Sequence, residues 1–300
     1  MTRTRVLTFL LLVAPAVATF SAWAIDQWRF GTNGSIVADG LRRTYLLHVP
    51  RGLDPARPVP LVISLHGGAL RPGWQRRIDG WTHLADRHGF LVVYPAGRSG
   101  GPRHWEMDDR DLRFIAGLID HLASQYPVDR SRIYLSGFSN GGNFAYVLSC
   151  ALDDRVAAIG MVGAAFLFNS PGCRTSDPVP MISFHGTEDR AALYRGGSSF
   201  ATRGVVLPAV PAFTERNARR IGCRERDDAR LSANVTRTAF TGCEENAEVV
   251  LYSIEGAGHI WPGGHRMKET RLTGKPSDEI DATATMWEFF SRHPRPRPAP

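Results

Sequence analysis

The residues best placed to do chemistry form the run Gly137-Phe138-Ser139-Asn140-Gly141, followed by Gly142. This G-x-S-x-G pattern lies between an apolar stretch, Arg132–Leu135, and a helical one from Gly142 through Cys150. A strand-to-helix elbow in that setting holds its serine in a strained backbone conformation, with the hydroxyl projecting from the end of a sheet. The glycines are needed because a Cβ at those positions would collide across the turn. A serine hydroxyl is a weak nucleophile at neutral pH and requires a base, which in turn requires an orienting carboxylate. The candidate acid is Asp189, in Phe184-His185-Gly186-Thr187-Glu188-Asp189, with Glu188 the near rival and Asp177 a weaker one. The candidate base is His259, in a loop rich in glycine from Gly256 to Gly264, and His185 is its competitor. Negative charge would develop on a carbonyl oxygen during attack, so backbone donors must be waiting for it. Leu65-His66-Gly67-Gly68-Ala69 supplies such a loop: the Gly68 amide is the expected donor, Gly67 or Ala69 the alternatives, and the Asn140 amide the second donor.

Positioning these groups requires a sheet whose strands end on one edge. Apolar runs at Thr44–Val49, Pro60–Leu65, Phe90–Tyr94, Arg132–Leu135, Ala157–Val162, Met181–Phe184 and Glu248–Ile254 read as strands. Several are continuously apolar, as Leu61-Val62-Ile63 is, which suits a sheet covered on both faces. Between them, Leu112, Ile115, Leu118, Ile119 and Leu122 recur at helical spacing, and Val210, Phe213 and Ala218 do so less cleanly. A last helix is expected after Ser277, with Asp278 and Glu279 in its first turn and Ile280, Met286, Trp287 and Phe290 on its apolar face. Alternating β and α units predict an α/β fold with a mainly parallel central sheet and helices on both faces. One domain over residues 25–292 is expected, followed by a disordered Pro/Arg-rich tail at 293–300.

The chain has 300 residues, 43% of them hydrophobic and 22% charged, a composition that excludes disordered, collagenous and coiled-coil classes. The net charge of +7 is misleading. Arg3, Arg5, Arg292, Arg295 and Arg297 lie in the leader or at the C-terminal end, and without them the body carries +2 and no basic block of the kind nucleic acid would demand. Residues 1–24 read as a secretory signal peptide: Arg3 and Arg5, an apolar core from Val6 to Phe20, then Ala22-Trp23-Ala24 as a cleavage site. The expected location is therefore extracellular or periplasmic, with no stable membrane insertion after cleavage. Cys150, Cys173, Cys223 and Cys243 lack any C-x-x-C spacing, which argues against zinc. Of their three pairings, the nearest-neighbour choice of Cys150–Cys173 and Cys223–Cys243 closes two short loops, each worth about 3 kcal/mol in the chain-entropy model.

Taken together, these motifs resemble the polyhydroxybutyrate depolymerase–feruloyl esterase family of secreted α/β-hydrolases, including its LpqC-like members. The resemblance runs from about Thr44 to Phe290. It is carried by Leu65-His66-Gly67-Gly68, Gly80-Trp81 with Leu84-Ala85-Asp86, Val92-Val93-Tyr94-Pro95, Leu118-Ile119-Asp120, the Ser139 elbow, His185-Gly186-Thr187 with Asp189, and Gly258-His259 with Trp261-Pro262-Gly263-Gly264. It implies an α/β-hydrolase fold and a serine esterase without cofactor or metal, with Ser139, Asp189 and His259 as nucleophile, acid and base. The family commonly carries paired cysteines beside the elbow and before the histidine loop, in keeping with the pairing above. The substrates implied are small or oligomeric esters: hydroxybutyrate oligomers, feruloyl esters or related soluble esters. Phe138 and Trp261, with Trp105 and Tyr194, are candidates for an aromatic wall along the substrate. Arg110 stands where the family usually has an aspartate, and Ala96 where an acid usually follows Tyr-Pro, so the rim of the site is expected to differ. The alternatives are a serine peptidase or acyltransferase on the same scaffold, or a non-catalytic protein that binds esters or glycans.

Overall fold

A computed structural model describes residues 31–98, 103–164, 178–202, 204–264 and 270–296. The leader and Asp177 lie outside the described residues, as does Cys173. Among the described residues, the strands are β1 (Gly34–Ala38), β2 (Leu41–His48), β3 (Val59–Leu65), β4 (Leu91–Pro95), β5 (Val128–Phe138), β6 (Ala158–Val162), β7 (Met181–Gly186), β8 (Glu225–Arg230), β9 (Val235–Thr241) and β10 (Val249–Ile254). They form one sheet in the order β1-β2-β4-β3-β5-β6-β7-β10-β9-β8. The stretch from β4 to β10 is parallel throughout, and antiparallel pairs occur only toward the two edges. This is the α/β-hydrolase architecture, a mixed sheet with a parallel centre.

The period of two along each central strand explains the continuous apolar runs. Leu61, Ile63, Leu91, Val93, Ile133 and Leu135 enter one core layer, while Val62, Val92, Tyr94 and Tyr134 enter the other. The first layer is covered by α3 (Asp109–Gln125), α4 (Asn140–Ala151) and α5 (Val210–Arg220). The second is covered by α1 (Pro72–Asp79), α2 (Trp81–His88) and α6 (Ala282–Arg292). On that side Phe290 stacks on Trp81 and Tyr134 at 5.8 and 4.8 Å between ring centroids. Gly160 lets α6 come close, since a Cβ there would lie 2.5 Å from the Met286 sulfur.

All seven expected strands are present, and β1, β8 and β9 are additional. β8 is nearly all exposed and pairs at the sheet edge, so its sequence has no buried face to betray it. The last helix begins later than expected. The Asp281 carboxylate caps it by accepting from the Ala284 amide, which leaves Asp278 and Glu279 outside the first turn. The expected tail also begins in contact with the domain: the Arg295 amide donates to the Ser131 carbonyl at 2.7 Å. Cys223 and Cys243 form a disulfide, and Cys150 is disulfide-bonded as well.

Candidate active site

Ser139 follows β5 at the carboxyl edge of the sheet and precedes α4. Its φ of 53° and ψ of −118° lie in a region that L-residues seldom occupy, and three glycines around it make that possible. A Cβ on Gly137 would fall 2.3 Å from the Gly141 carbonyl oxygen, and one on Gly141 would fall 2.3 Å from the Leu65 oxygen. On Gly142 it would lie 2.7 Å from the Ala164 Cβ. The elbow is therefore wedged against the end of β3, which brings the serine and the His66–Ala69 loop together.

Asp189 and His259 meet across two loops. The His259 Nδ1–H donates to Asp189 Oδ2 at 2.7 Å, and both side chains are buried. The other carboxylate oxygen accepts the Ala191 and Ala192 amides, each at 2.8 Å. His185, the competitor for the base, sits behind the acid with its Nε2 3.1 Å from Asp189 Oδ2. Burial alone would raise the Asp189 pKa, but hydrogen bonds from His185 and His259 and their charges hold it far below the usual carboxylate range. Glu188, the rival acid, points to solvent, while its amide donates to the Ala257 carbonyl at 2.9 Å. The loops fit because Gly186 and Gly258 have no side chains. A Cβ on Gly186 would lie 2.2 Å from the Ala257 oxygen, and one on Gly258 would overlap the Thr273 oxygen.

Ser139 and His259 share one rim. The Ser139 amide donates to the Val162 carbonyl at 2.8 Å, and the next residue, Gly163, leaves room for the imidazole. A Cβ on Gly163 would stand 3.0 Å from His259 Nδ1 and Cε1. The Phe138 ring, beside the serine, lies 4.8 Å from the His259 ring.

The two residues expected to supply oxyanion donors lie close together. A Cβ on Gly68 would contact the Asn140 Cβ at 3.8 Å, so the two backbones run side by side. Asn140 opens α4, and its amide is one of the helix's N-terminal donors without an intrahelical acceptor. Ala69 is unsuitable as the alternative donor because its amide already donates to the Arg103 carbonyl at 2.7 Å. Sequence reasoning missed the second job of Asn140. Its side-chain oxygen accepts the Trp105 amide at 2.8 Å, and its side-chain nitrogen donates to the Trp105 carbonyl at 3.3 Å. The Trp105 indole N–H then donates to the His66 carbonyl at 3.0 Å. His66 donates from Nδ1 to the Gly67 carbonyl and accepts the Gly97 amide at Nε2, which fixes it as a neutral imidazole. Burial pushes its pKa down to about 4. The residue after the serine and the glycine loop are thus tied to each other through Trp105.

The aromatic wall needs correction. Trp261 is 1% exposed and its indole donates to Thr283 Oγ1 at 2.8 Å, so it supports the histidine loop from below rather than facing a substrate. Phe138 and Trp105 are likewise buried, and Tyr194 shares a hydrogen bond of 2.7 Å with Ser253. Below Trp261 lies a polar cluster that no sequence motif announced. Asp79 is wholly buried and accepts from Ser64 Oγ (2.7 Å), the Trp81 amide (3.2 Å), Tyr94 (3.2 Å) and Gln75 (3.3 Å). Its own carbonyl accepts from Thr283, the residue that holds Trp261. Burial raises the Asp79 carboxyl to about 7 despite those hydrogen bonds. Among the described residues, no group of three or more His, Cys, Asp or Glu side chains is arranged to hold a metal, and no helix is long and apolar enough to cross a membrane.

The chain has the α/β-hydrolase fold. Residues 48–160 match the BD-FAE family model. The chain is 28% identical over 268 residues to feruloyl esterase C of Emericella nidulans, covering 86% of this chain and 87% of that one. It is 28% identical over 227 residues to the bifunctional acetylxylan esterase/xylanase XynS20E of Neocallimastix patriciarum, covering 73% of this chain but 31% of that one. Among solved structures, an acetyl xylan esterase from Aspergillus awamori shares the fold with a TM-score of 0.54 at 14% identity, over 76% of this chain and 93% of that one. Esterase 2 of Thermogutta terrifontis does so with a TM-score of 0.56 at 17% identity, over 88% and 95%. The chain is similar to feruloyl esterase-like α/β-hydrolases and is a carboxylic ester hydrolase.

Proposed function

We propose that the protein is an exported single-domain serine esterase acting on soluble carboxylic esters, feruloyl or acetyl esters among them, through Ser139, His259 and Asp189. The observation that carries this reading is the 2.7 Å bond from His259 to a buried Asp189, on the rim where the strained Ser139 stands. Ser139 Oγ attacks the ester carbonyl carbon while His259 Nε2 takes its proton. Asp189 fixes the imidazole tautomer and stabilises the imidazolium. The amides of Gly68 and Asn140 receive the developing oxyanion. Collapse expels the alcohol, which leaves with the proton from His259, and an acyl-Ser139 remains. Water then attacks that acyl group with His259 again as base, releasing the carboxylic acid and restoring the serine. The signal-like leader and the disulfides support export. The relatives named for feruloyl and acetylxylan esters support the acyl class. A substrate panel tests the proposal, using p-nitrophenyl acetate, a methyl ferulate, an acetylated xylo-oligosaccharide, a hydroxybutyrate oligomer and a peptide amide. Hydrolysis of the first three with no cleavage of the amide is expected. Preferential cleavage of the peptide would overturn the assignment.

A further inference from the structure

The acid of the site lies against two histidines, and catalysis by the triad uses only one of them. His185 is the penultimate residue of β7, and its side chain is as deeply buried as that of Asp189. Its Nε2 lies 2.7 Å from the Ala192 carbonyl oxygen and 3.1 Å from Asp189 Oδ2. A carbonyl oxygen can only accept, so Nε2 carries the proton; the N–H is directed at the Ala192 oxygen, with Asp189 Oδ2 within ion-pair reach of it. The consequence falls on Oδ2, the same atom that receives the His259 Nδ1–H. Asp189 therefore has four N–H donors around it: two amides on Oδ1, and two imidazoles on Oδ2.

We propose that His185 is a positioning residue for the acid–base pair: its Nε2–H holds the Asp189 carboxylate in line with His259 and draws off part of the charge that His259 feels. The proposal rests on the triad reading above. The two amides anchor Oδ1 but leave the carboxylate free to pivot about it. The His185 N–H, close against Oδ2, opposes that pivot. Neutralising part of the charge on Oδ2 also limits how strongly the acid favours imidazolium at His259, which must be neutral to accept the serine proton. Among the described residues, the ionisable groups facing His185 are Asp189 in the loop after β7, Tyr194 further along, with ring centroids 6.0 Å apart, and His259 across the carboxylate. On the neighbouring strand β10, the residue in register is the uncharged Ser253.

The test compares His185→Leu, which has no donor, with His185→Gln, whose amide can donate in place of Nε2. The readout is the pH profile of kcat and KM on p-nitrophenyl acetate. The leucine variant is expected to lose about ten- to a hundredfold, the range seen when a supporting hydrogen bond behind a site ligand is removed. The loss should fall in kcat with KM nearly unchanged, and the acidic limb should move to higher pH, because a carboxylate with less of its charge offset holds the imidazolium proton longer. The glutamine variant should recover most of both. Wild-type kcat and limb in the leucine variant would overturn the proposal. So would equal losses in both variants with the limb unmoved, which is what packing alone would give. If His185→Leu does not fold, the 15N spectrum of the labelled wild-type protein decides, since the proposal requires the Nε2–H form of His185 and a Nδ1–H form fails it. Survival of the acidic limb in His259→Gln would instead bring down the triad reading, so the two failures are distinguishable.

Discussion

The effect on stability of replacing Asp79 by asparagine should depend on pH, because the native carboxyl is a proton reservoir. The folded protein holds this group at about 7, against 3.8 for an unperturbed aspartate, and burial is the cause. The folded state therefore binds more protons than the unfolded chain between about pH 4 and 7. The stabilising effect of that bound proton is complete below about pH 4, disappears as the pH climbs through 7, and stays absent above it. A displacement of about three units corresponds to about 4 kcal/mol. The proton also has a place to go. Gln75 Oε1 is buried without a partner while its Nε2 faces Asp79 Oδ2, and turning that amide over would let the carboxyl O–H donate to it. The asparagine side chain would keep the shape and make the same donation from its NH2 without titrating. Urea unfolding of both proteins, followed by tryptophan fluorescence with disulfides intact, gives the stability difference at each pH. The variant should gain on wild type by about 4 kcal/mol between pH 4 and pH 8. A difference that stays flat across that range would refute the account of Asp79 as a neutral acid near pH 7.

Asp189→Asn should lose activity by roughly 10⁴, the scale of losing an orienting carboxylate, while Glu188→Gln stays near wild type. Steady-state kinetics on one p-nitrophenyl ester decide the ranking, and the opposite order would move the acid by one residue. Asn140→Ala keeps the backbone amide but loses both bonds to Trp105. Its kcat should fall by about 10² if the oxyanion donors depend on that tie, and an unchanged kcat would show that the glycine loop holds itself. Non-reducing peptide mapping should recover Cys223 linked to Cys243 and Cys150 linked to Cys173, and any cross pair would contradict the pairing.

What the sequence made legible was whatever had to be written in one short run. The elbow is such a feature, because Gly137, Gly141 and Gly142 each sit where a Cβ would strike neighbouring backbone or a packed side chain. The central strands are another, since burial on both faces removes polar residues from them. β8 was missed because its Glu-Arg-Asp-Asp-Ala-Arg face is solvated, and edge pairing leaves no apolar period. The Asp79 cluster was invisible for a different reason: its members, Ser64, Tyr94 and Thr283, come from separate elements and carry no spacing. The aromatic wall failed because an aromatic next to a glycine loop reads alike whether it packs or binds. Trp261 packs, with its N–H on Thr283. The second roles of Asn140 and His185 lay in side-chain contacts made only once the loops are folded.

The central claim is that Ser139 is a nucleophile activated by His259. Its most direct measurement is labelling by a fluorophosphonate probe, followed by peptide mapping, in the wild-type protein, Ser139→Ala and His259→Gln. A single adduct on Ser139 is expected in the wild type, none in Ser139→Ala, and labelling slowed by several orders of magnitude in His259→Gln. Removal of either residue should also cost on the order of 10⁶ in ester turnover. An adduct on another serine, or undiminished turnover in Ser139→Ala, would contradict it.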